Sequence, residues 1–496
     1  MTVRHALPLA AVAVLLLSGC KQEGMCGDCG PVEPDTGWAL PVVPAYEAGY
    51  EAFFSLDAAP AAMTLHFTVA EWNGLLRDFD ANPRNEVYRQ ADFTYGEGAA
   101  AVALPKVAVR LRGNVWSRVR PEDGGGLHDP AHALVRAHFK VKLDETFDGD
   151  ESVYGSADLP LDDGLEGRSV LGVKSFNLKH NRGDPSYLRE VVSYDLFRRA
   201  GVHAPRAAFA RLSVKIGDEP VRYMGVYELI EDVDKAFLKR RFGANAWAFK
   251  SLWQQFGPAD LSRGDRDGSA TSGRTGIEVT DPASAAAAPG FQPYRPAYDL
   301  KTKEDEFVQA EAALDDLVTL LAGAPTREQL EAAVDVQAFL RAMAVNALVG
   351  MSDDYWRNGN NYYLAKRADD GRWTFIPYDY DLTFGFECIG DPVASSPFVA
   401  WAASHGSQVN PVLADRILAI PVFARDLRRY VAAYTSGADP VFHWSTLGPR
   451  LSALEAALGP HLGGYDAWAE TAWDPALGDL QGYVNARVAV AATEPP

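Results

Sequence analysis

The spacing of apolar residues changes period partway along this 496-residue chain, and that change limits the fold more than any other feature. In the first half apolar positions alternate, as they do along strands; in the second they recur every three or four residues, as on helices. Val107, Val109 and Leu111 share one face, opposite Arg110 and Arg112. Phe139, Val141 and Leu143 repeat the pattern opposite Lys140 and Lys142. Met63–Val69, Ala207–Val214 and Tyr223–Ile230 read as further strands. The main helix of this half is expected to open at Asp184-Pro185, run to Ala200 and stop at Gly201. The second half predicts helices near Glu304–Leu321, Thr326–Val349, Pro411–Tyr434, Ser445–Leu458 and Gly478–Ala492. The expected class is therefore α+β, strand-rich first and helix-rich second.

The N-terminus reads as an address rather than a fold. One Arg precedes an apolar run from Ala6 to Leu17, too short to span a bilayer comfortably and flanked like an export signal. Leu17-Ser18-Gly19-Cys20 resembles the lipobox of bacterial lipoproteins. That resemblance implies a signal peptide over 1–19, lipidation of Cys20 and attachment to a membrane through the lipid. The chain is then expected on the periplasmic or outer cell surface. A polar tether follows over 20–45, with a strand-rich part over 46–250, a Gly/Ser/Ala/Asp/Pro-rich insert within 251–300, and a helical part over 301–496. Cys26 and Cys29 sit in the tether, where a local disulfide is the expected reading; Cys388 is read as a small buried residue. Charge excludes one large class of partner. With 47 Lys+Arg against 66 Asp+Glu, the net charge is −19, the wrong sign for an electrostatic nucleic-acid binder.

The densest polar segment is Met351-Ser-Asp-Asp-Tyr-Trp-Arg-Asn-Gly-Asn-Asn-Tyr-Tyr-Leu364, directly after a predicted helix. Asn360–Lys366 then reads as a strand, Asp369-Asp-Gly371 as a hairpin turn, and Trp373–Tyr378 as the returning strand. That strand ends in Asp379-Tyr-Asp381, whose two carboxylates share one side if it stays extended. Magnesium takes a few carboxylate or amide oxygens and completes its shell with waters and substrate phosphates, which such a segment can accommodate. Earlier, Glu190 shares a helix face with Tyr187, Tyr194 and Phe197, and a carboxylate on an aromatic stripe wants a cationic partner.

The order matches a phosphotransferase of the protein-kinase plan. Asp353 and Asn358 have the D-x-x-x-x-N spacing of a catalytic loop, Asp379 follows a hairpin where a metal Asp would, and a strand Lys (Lys140 or Lys142) precedes the helix Glu190. The G-x-G-x-x-G loop, H-R-D and D-F-G are missing, which excludes a standard protein kinase.

Arg110-Leu-Arg-Gly-Asn114, Phe139-Lys-Val-Lys142, Asp184-Pro-Ser-Tyr-Leu-Arg-Glu190, Ala200-Gly-Val-His-Ala-Pro205, Gly225-Val-Tyr-Glu-Leu-Ile-Glu-Asp-Val-Asp234, Asn358-Gly-Asn-Asn-Tyr-Tyr-Leu364 and Ile376-Pro-Tyr-Asp-Tyr-Asp-Leu-Thr-Phe-Gly385 together resemble the spore coat protein CotH family. The resemblance implies an atypical, bilobal protein-kinase-like fold. It also implies ATP and Mg2+ as cofactors and transfer to Ser/Thr hydroxyls of a protein substrate. Carried over residue by residue, it makes Asp353 the catalytic Asp, with Asp354 taking the role if the register shifts by one. Asn358 or Asn361 would help hold metal, with Asp379 as main carboxylate and Asp381 beside it. Lys142 or Lys140 would meet the phosphates, with Glu190 as positioning partner and Arg112 as a further phosphate contact. Tyr378 stands where the family commonly carries Trp, and Asn360 where His is frequent; neither removes a ligand carboxylate. Two rivals remain: a non-catalytic surface protein that binds or organises the envelope on the same fold, and a metal-dependent hydrolase using the same acids.

Overall fold

The computed structural model describes residues 36–41, 43–83, 85–113, 118–147, 164–181, 183–251, 258–262, 297–386, 393–401, 409–462 and 467–496. Cys20, Cys26, Cys29, Asn114, Cys388 and most of the expected insert lie outside them. Residues 37–496 cluster as one compact unit.

Seven strands close a barrel: β1 (Ala61–Phe67), β2 (Arg89–Tyr95), β3 (Val102–Leu111), β4 (Phe139–Lys142), β5 (Ser175–His180), β6 (Ala207–Ile216) and β7 (Arg222–Glu231). Their order around the barrel is β1-β2-β3-β4-β5-β7-β6, sealed by a parallel β1–β6 pairing among otherwise antiparallel neighbours. Alternation sorts the side chains. Val107, Val109, Phe139, Val141, Phe176, Leu178 and Leu229 fill the inside as one apolar core. The intervening residues of β3, β4, β5 and β7 therefore face outward. They include Arg110, Lys140, Lys142, Asn177, Lys179 and Glu228, and the register sets Arg110 beside Lys140, Lys140 beside Asn177, and Lys179 beside Glu228. An outer barrel face rich in charge must be covered by acids or by solvent.

Short helices α1 (Ala48–Phe53) and α2 (Val69–Ala81) flank the barrel, and α3 (Arg189–Arg199) joins it to a larger core. The predicted helix from Asp184 starts later. Tyr187 is left-handed at φ 57°, so residues 184–188 form a turn. The N-cap position falls on Leu188, not on Asp184 as expected; the Asp184 carboxylate instead braces the turn, accepting from the Ser186 and Arg189 N–H groups at 2.9 and 3.1 Å. After α4 (Lys235–Phe242), strands β8 (Ala248–Ser251), β9 (Tyr298–Leu300), β10 (Tyr362–Lys366) and β11 (Trp373–Pro377) form a second, antiparallel sheet in the order β11-β10-β8-β9.

The remaining helices are α5 (Phe307–Ala322), α6 (Arg327–Ala333), α7 (Val336–Val349), α8 (Tyr355–Asn358), α9 (Val412–Leu418), α10 (Pro421–Ser436), α11 (Trp444–Leu462) and α12 (Ala467–Thr493). Two predicted single helices are each split. Thr326–Val349 breaks at Val334, where Asp335 turns out to cap α7 by accepting from Ala338 N–H. Pro411–Tyr434 breaks before Pro421, whose ring lacks the N–H a continuous helix needs. α7 is buried on nearly every side, so it is the axis around which the second half packs.

Candidate functional site

Four segments converge where the barrel's outer face meets the end of α7. β5 supplies Lys179, α3 supplies Glu190, the chain leaving β11 supplies Asp379 and Asp381, and the loop after α7 supplies Asp353. The Lys179 ammonium touches the Glu190 Oε2, lies 2.5 Å from Asp379 Oδ1 and 3.7 Å from Asp381 Oδ2. Oxygens of Glu190, Asp379 and Asp381 come within 4.8 Å of one another. Glu190 is the fully buried member and spends one oxygen on Lys179; Asp379 and Asp381 are the partly open ones.

Local backbone rules explain the placement. Helix α7 ends at Gly350, left-handed at φ 67°. The chain beyond is pinned back on it through Phe384 N–H to Val349 O at 2.7 Å and Ser352 N–H to Leu382 O at 3.2 Å. Asp379 is itself left-handed (φ 60°), so it leaves the β11 pleat, and its N–H donates to the buried Tyr194 hydroxyl at 2.8 Å. A non-glycine residue held there is strained backbone of the kind that collects at functional sites.

Asp353 is ringed by amides. Asn358 Nδ2 donates to its Oδ1 at 2.6 Å, Asn360 Nδ2 reaches both oxygens at 3.2–3.3 Å, and Asn361 Nδ2 reaches Oδ2 at 3.0 Å. Burial and the Asp379 charge raise its carboxyl, against the pull of the three amides. Asp354, one residue on, does different work. It caps α8 by accepting from Arg357 N–H at 2.8 Å and also accepts from Asn346 Nδ2 (2.6 Å) and Trp401 Nε1 (2.9 Å), and burial pushes it up to about 6. Its acceptor sites are taken up inside the core, whereas Asp353 is the one in electrostatic reach of Asp379 and Asp381.

Charge sets the protonation states. Burial opposes ionisation of Asp379, but Lys179, Arg112 and Lys250 outweigh it and hold the carboxyl below its ordinary range. Asp381 goes the other way, because enclosure and the negative charges of Asp379, Glu190 and Asp353 raise it more than Lys179 lowers it. Lys179 stays firmly cationic: desolvation works against its charge, and the carboxylates around it more than compensate.

Of the other basic residues expected at the site, Lys140 and Lys142 are engaged elsewhere while Arg112 stays beside it. Lys140 lies 2.6 Å from Asp232 and Lys142 lies 2.5 Å from Glu145. Arg112 hydrogen-bonds the Tyr378 hydroxyl next to Asp379, and its buried Nη1 has no hydrogen-bond partner. The ammonium that meets Glu190 thus comes from β5, a strand the sequence reading passed over. The signal was there: Phe176 and Leu178 alternate with Asn177 and Lys179 just before the turn into α3.

With that geometry in view, comparisons with known proteins bear on it. Residues 109–490 match the family model described as CotH kinase protein. The inner spore coat protein H of Bacillus subtilis (strain 168) is 25% identical over 233 residues, 46% of this chain and 55% of that one. Spore coat protein homolog 1 of Rhizopus delemar is 24% identical over 311 residues, 60% of this chain and 44% of that one. Invasin CotH3 of the same fungus is 23% identical over 228 residues, 45% of this chain and 33% of that one. The chain thus spans about half the length of the first two curated relatives it matches. Among solved structures, the Helicobacter pylori proinflammatory kinase CtkA aligns with 64% of this chain and 90% of its own at 9% identity, with a TM-score of 0.24. Among the described residues no helix is long and apolar enough to cross a membrane.

Proposed function

The chain belongs to the CotH family, and from that premise we propose that it is an atypical, ATP- and Mg2+-dependent protein kinase, exported and held at a membrane by lipid on Cys20. The observation that carries the reading is the Lys179 ammonium bridging Glu190 and Asp379, with Asp353 alongside. A strand Lys paired with a helix Glu, a metal-side Asp after a hairpin and a catalytic-loop Asp are the parts that phosphoryl transfer needs in protein kinases.

The donor set suits a hard divalent cation. Asp379 and Asp381 offer carboxylate oxygens on the open side, and Asn358 and Asn361 carry amides against Asp353. Bound there, Mg2+ would neutralise phosphate charge. Lys179, fixed by Glu190, offers its ammonium to the phosphates, and Arg112 brings a guanidinium nitrogen with no protein partner to the same side. Asp353, its orientation fixed by Asn358, Asn360 and Asn361, receives the hydrogen bond of a substrate Ser or Thr hydroxyl and aims it. The test is transfer of label from γ-labelled ATP with Mg2+ to protein. Equal labelling by wild type and Asp379→Ala would sink the reading, and release of free phosphate without protein labelling would favour a hydrolase.

A second reading has one observation behind it: fungal relatives carry the name invasin. On that reading the chain is a surface protein that binds without turnover. It predicts no nucleotide-dependent rise in melting temperature, whereas the kinase predicts one with ATP and Mg2+.

A further inference from the structure

One buried carboxyl beside the site has no part in the kinase scheme above. Glu228 lies on β7 directly across from Lys179 on β5, so both side chains project from the same outer barrel face toward α3. It is buried, and it accepts from Asn181 Nδ2 at 3.1 Å. Its carboxyl neighbours that of Glu190, whose charge, after burial itself, does most to hold Glu228 in the neutral form. Two neighbouring carboxyls can share a hydrogen bond only when one of them carries a proton.

Two observations say which. Glu190 Oε2 is engaged by the Lys179 ammonium. Glu190 Oε1 is buried and meets no N–H or hydroxyl donor. A carboxylate oxygen stranded in that way is costly, and a protonated neighbouring carboxyl removes the cost. The groups facing Glu228 agree: Glu190 on α3 and Asp184 before it repel a second negative charge, and Lys179 on β5 is already shared among Glu190, Asp379 and Asp381.

We propose that Glu228 is a positioning residue that stays protonated at neutral pH and donates its carboxyl hydrogen to Glu190 Oε1, locking Glu190 onto Lys179. The carboxylate set around Lys179 then gains no further charge from Glu228, and Glu190 is fixed at both oxygens. The positioning role rests on the kinase reading; the protonation does not.

Protonation and role are tested separately. A group protonated when folded and ionised when unfolded destabilises the fold increasingly as pH rises above the ordinary Glu value of about 4.3. Glutamine mimics the protonated acid at every pH. The denaturation midpoint of Glu228→Gln relative to wild type is therefore expected to rise between about pH 5 and about pH 8. A gap between the Gln variant and wild type that stays flat or falls over that range would show Glu228 ionised in the fold and overturn the proposal. Infrared spectra of 13C-glutamate-labelled protein at neutral pH give a second reading: a protonated-carboxyl band in wild type, lost in Glu228→Gln and equally in Glu228→Asp should the amide variant not fold. Spectra unchanged by either substitution also overturn it. In the labelling assay Glu228→Ala is expected to fall at least about tenfold, with Glu228→Gln restoring most of it. Absence of transfer in wild type would defeat the kinase reading and leave the stability and infrared results to decide Glu228.

Discussion

Lys179 and Asp379 are 200 residues apart in sequence and 2.5 Å apart in space. Their contact joins the outer barrel face to the chain leaving the hairpin, and Glu190 holds the ammonium from behind. Lys179→Met removes the cation and leaves Glu190 buried without its partner. The expected loss is roughly 3 kcal/mol of stability, with protein labelling down by roughly a hundredfold or more. Adding Glu190→Leu takes out the stranded charge. The double variant should regain much of the denaturation midpoint and none of the transfer. Recovery of both would mean that Lys179 serves the fold alone.

Asp353 and Asp354 are adjacent and separable. Asp353→Asn keeps the shape but sets an NH2 where one oxygen accepted from the surrounding amides, so roughly 1–2 kcal/mol of stability should go with it, and transfer is expected to fall roughly 10²- to 10⁴-fold per folded molecule. Asp354→Ala strips the α8 cap and the acceptor for Asn346 and Trp401. It should cost roughly 2–3 kcal/mol, with labelling per folded molecule largely kept. Calorimetry beside the labelling assay checks both. The reverse pattern would move the catalytic assignment one residue on.

Alternation was enough to find β3 and β4, which bury one face in the barrel and turn Arg110, Lys140 and Lys142 outward; β6 and β7 show as apolar runs, because Phe209, Val226 and Ile230 on their other face enter the larger core. Helical spacing exposed Glu190 as a misfit on an aromatic stripe in need of a cation. The supplier of that cation was hidden for a physical reason. Every residue of β5 from Phe176 to His180 is buried, on one side by the barrel core and on the other by α3, so Asn177 and Lys179, which alternation alone would assign to a solvated face, are enclosed, and spacing does not encode that enclosure. Lys140 and Lys142 looked more available, but the acids they pair with, Asp232 and Glu145, depend on pairings that spacing does not encode. The Asp/Asn loop and hairpin were legible because turn residues declare themselves locally. That Asp353 faces the site while Asp354 caps a four-residue helix depends on the rotation of one turn.

Glycine is required at one point of that loop. Gly359 closes α8 at φ 62°, and a Cβ there would stand 2.8 Å from Pro258 Cβ and 3.0 Å from Ala259 N. Gly371, in the hairpin turn, has a similar φ of 74° and open space around it. Alanine at 371 should cost about 1 kcal/mol, the left-handed backbone penalty alone. Alanine at 359 should cost roughly 2–3 kcal/mol because backbone must also move, and it should disturb Asn360 and Asn361 beside it. Denaturation midpoints of the two variants test the difference; equal losses would mean the Pro258–Ala259 segment yields freely.

Outside the set of residues around Lys179, His128 is clamped between two acids. Its Nδ1 lies 2.7 Å from Glu122 Oε2 and its Nε2 lies 2.6 Å from Glu219 Oε1. Glu122 also accepts from Trp72 Nε1 and contacts His132, while Arg222 steadies Glu219. Only an imidazolium can donate at both nitrogens. Burial works against the charge, but the two carboxylates outweigh it and raise the folded-state value above the ordinary 6.5. The clamp's contribution is therefore full below about pH 6.5 and fades as pH rises through the folded-state value. His128→Gln should lose roughly 2 kcal/mol near pH 6, and the gap to wild type should narrow on the alkaline side. A gap that widens with pH would mean the ring is neutral and donates to one acid only.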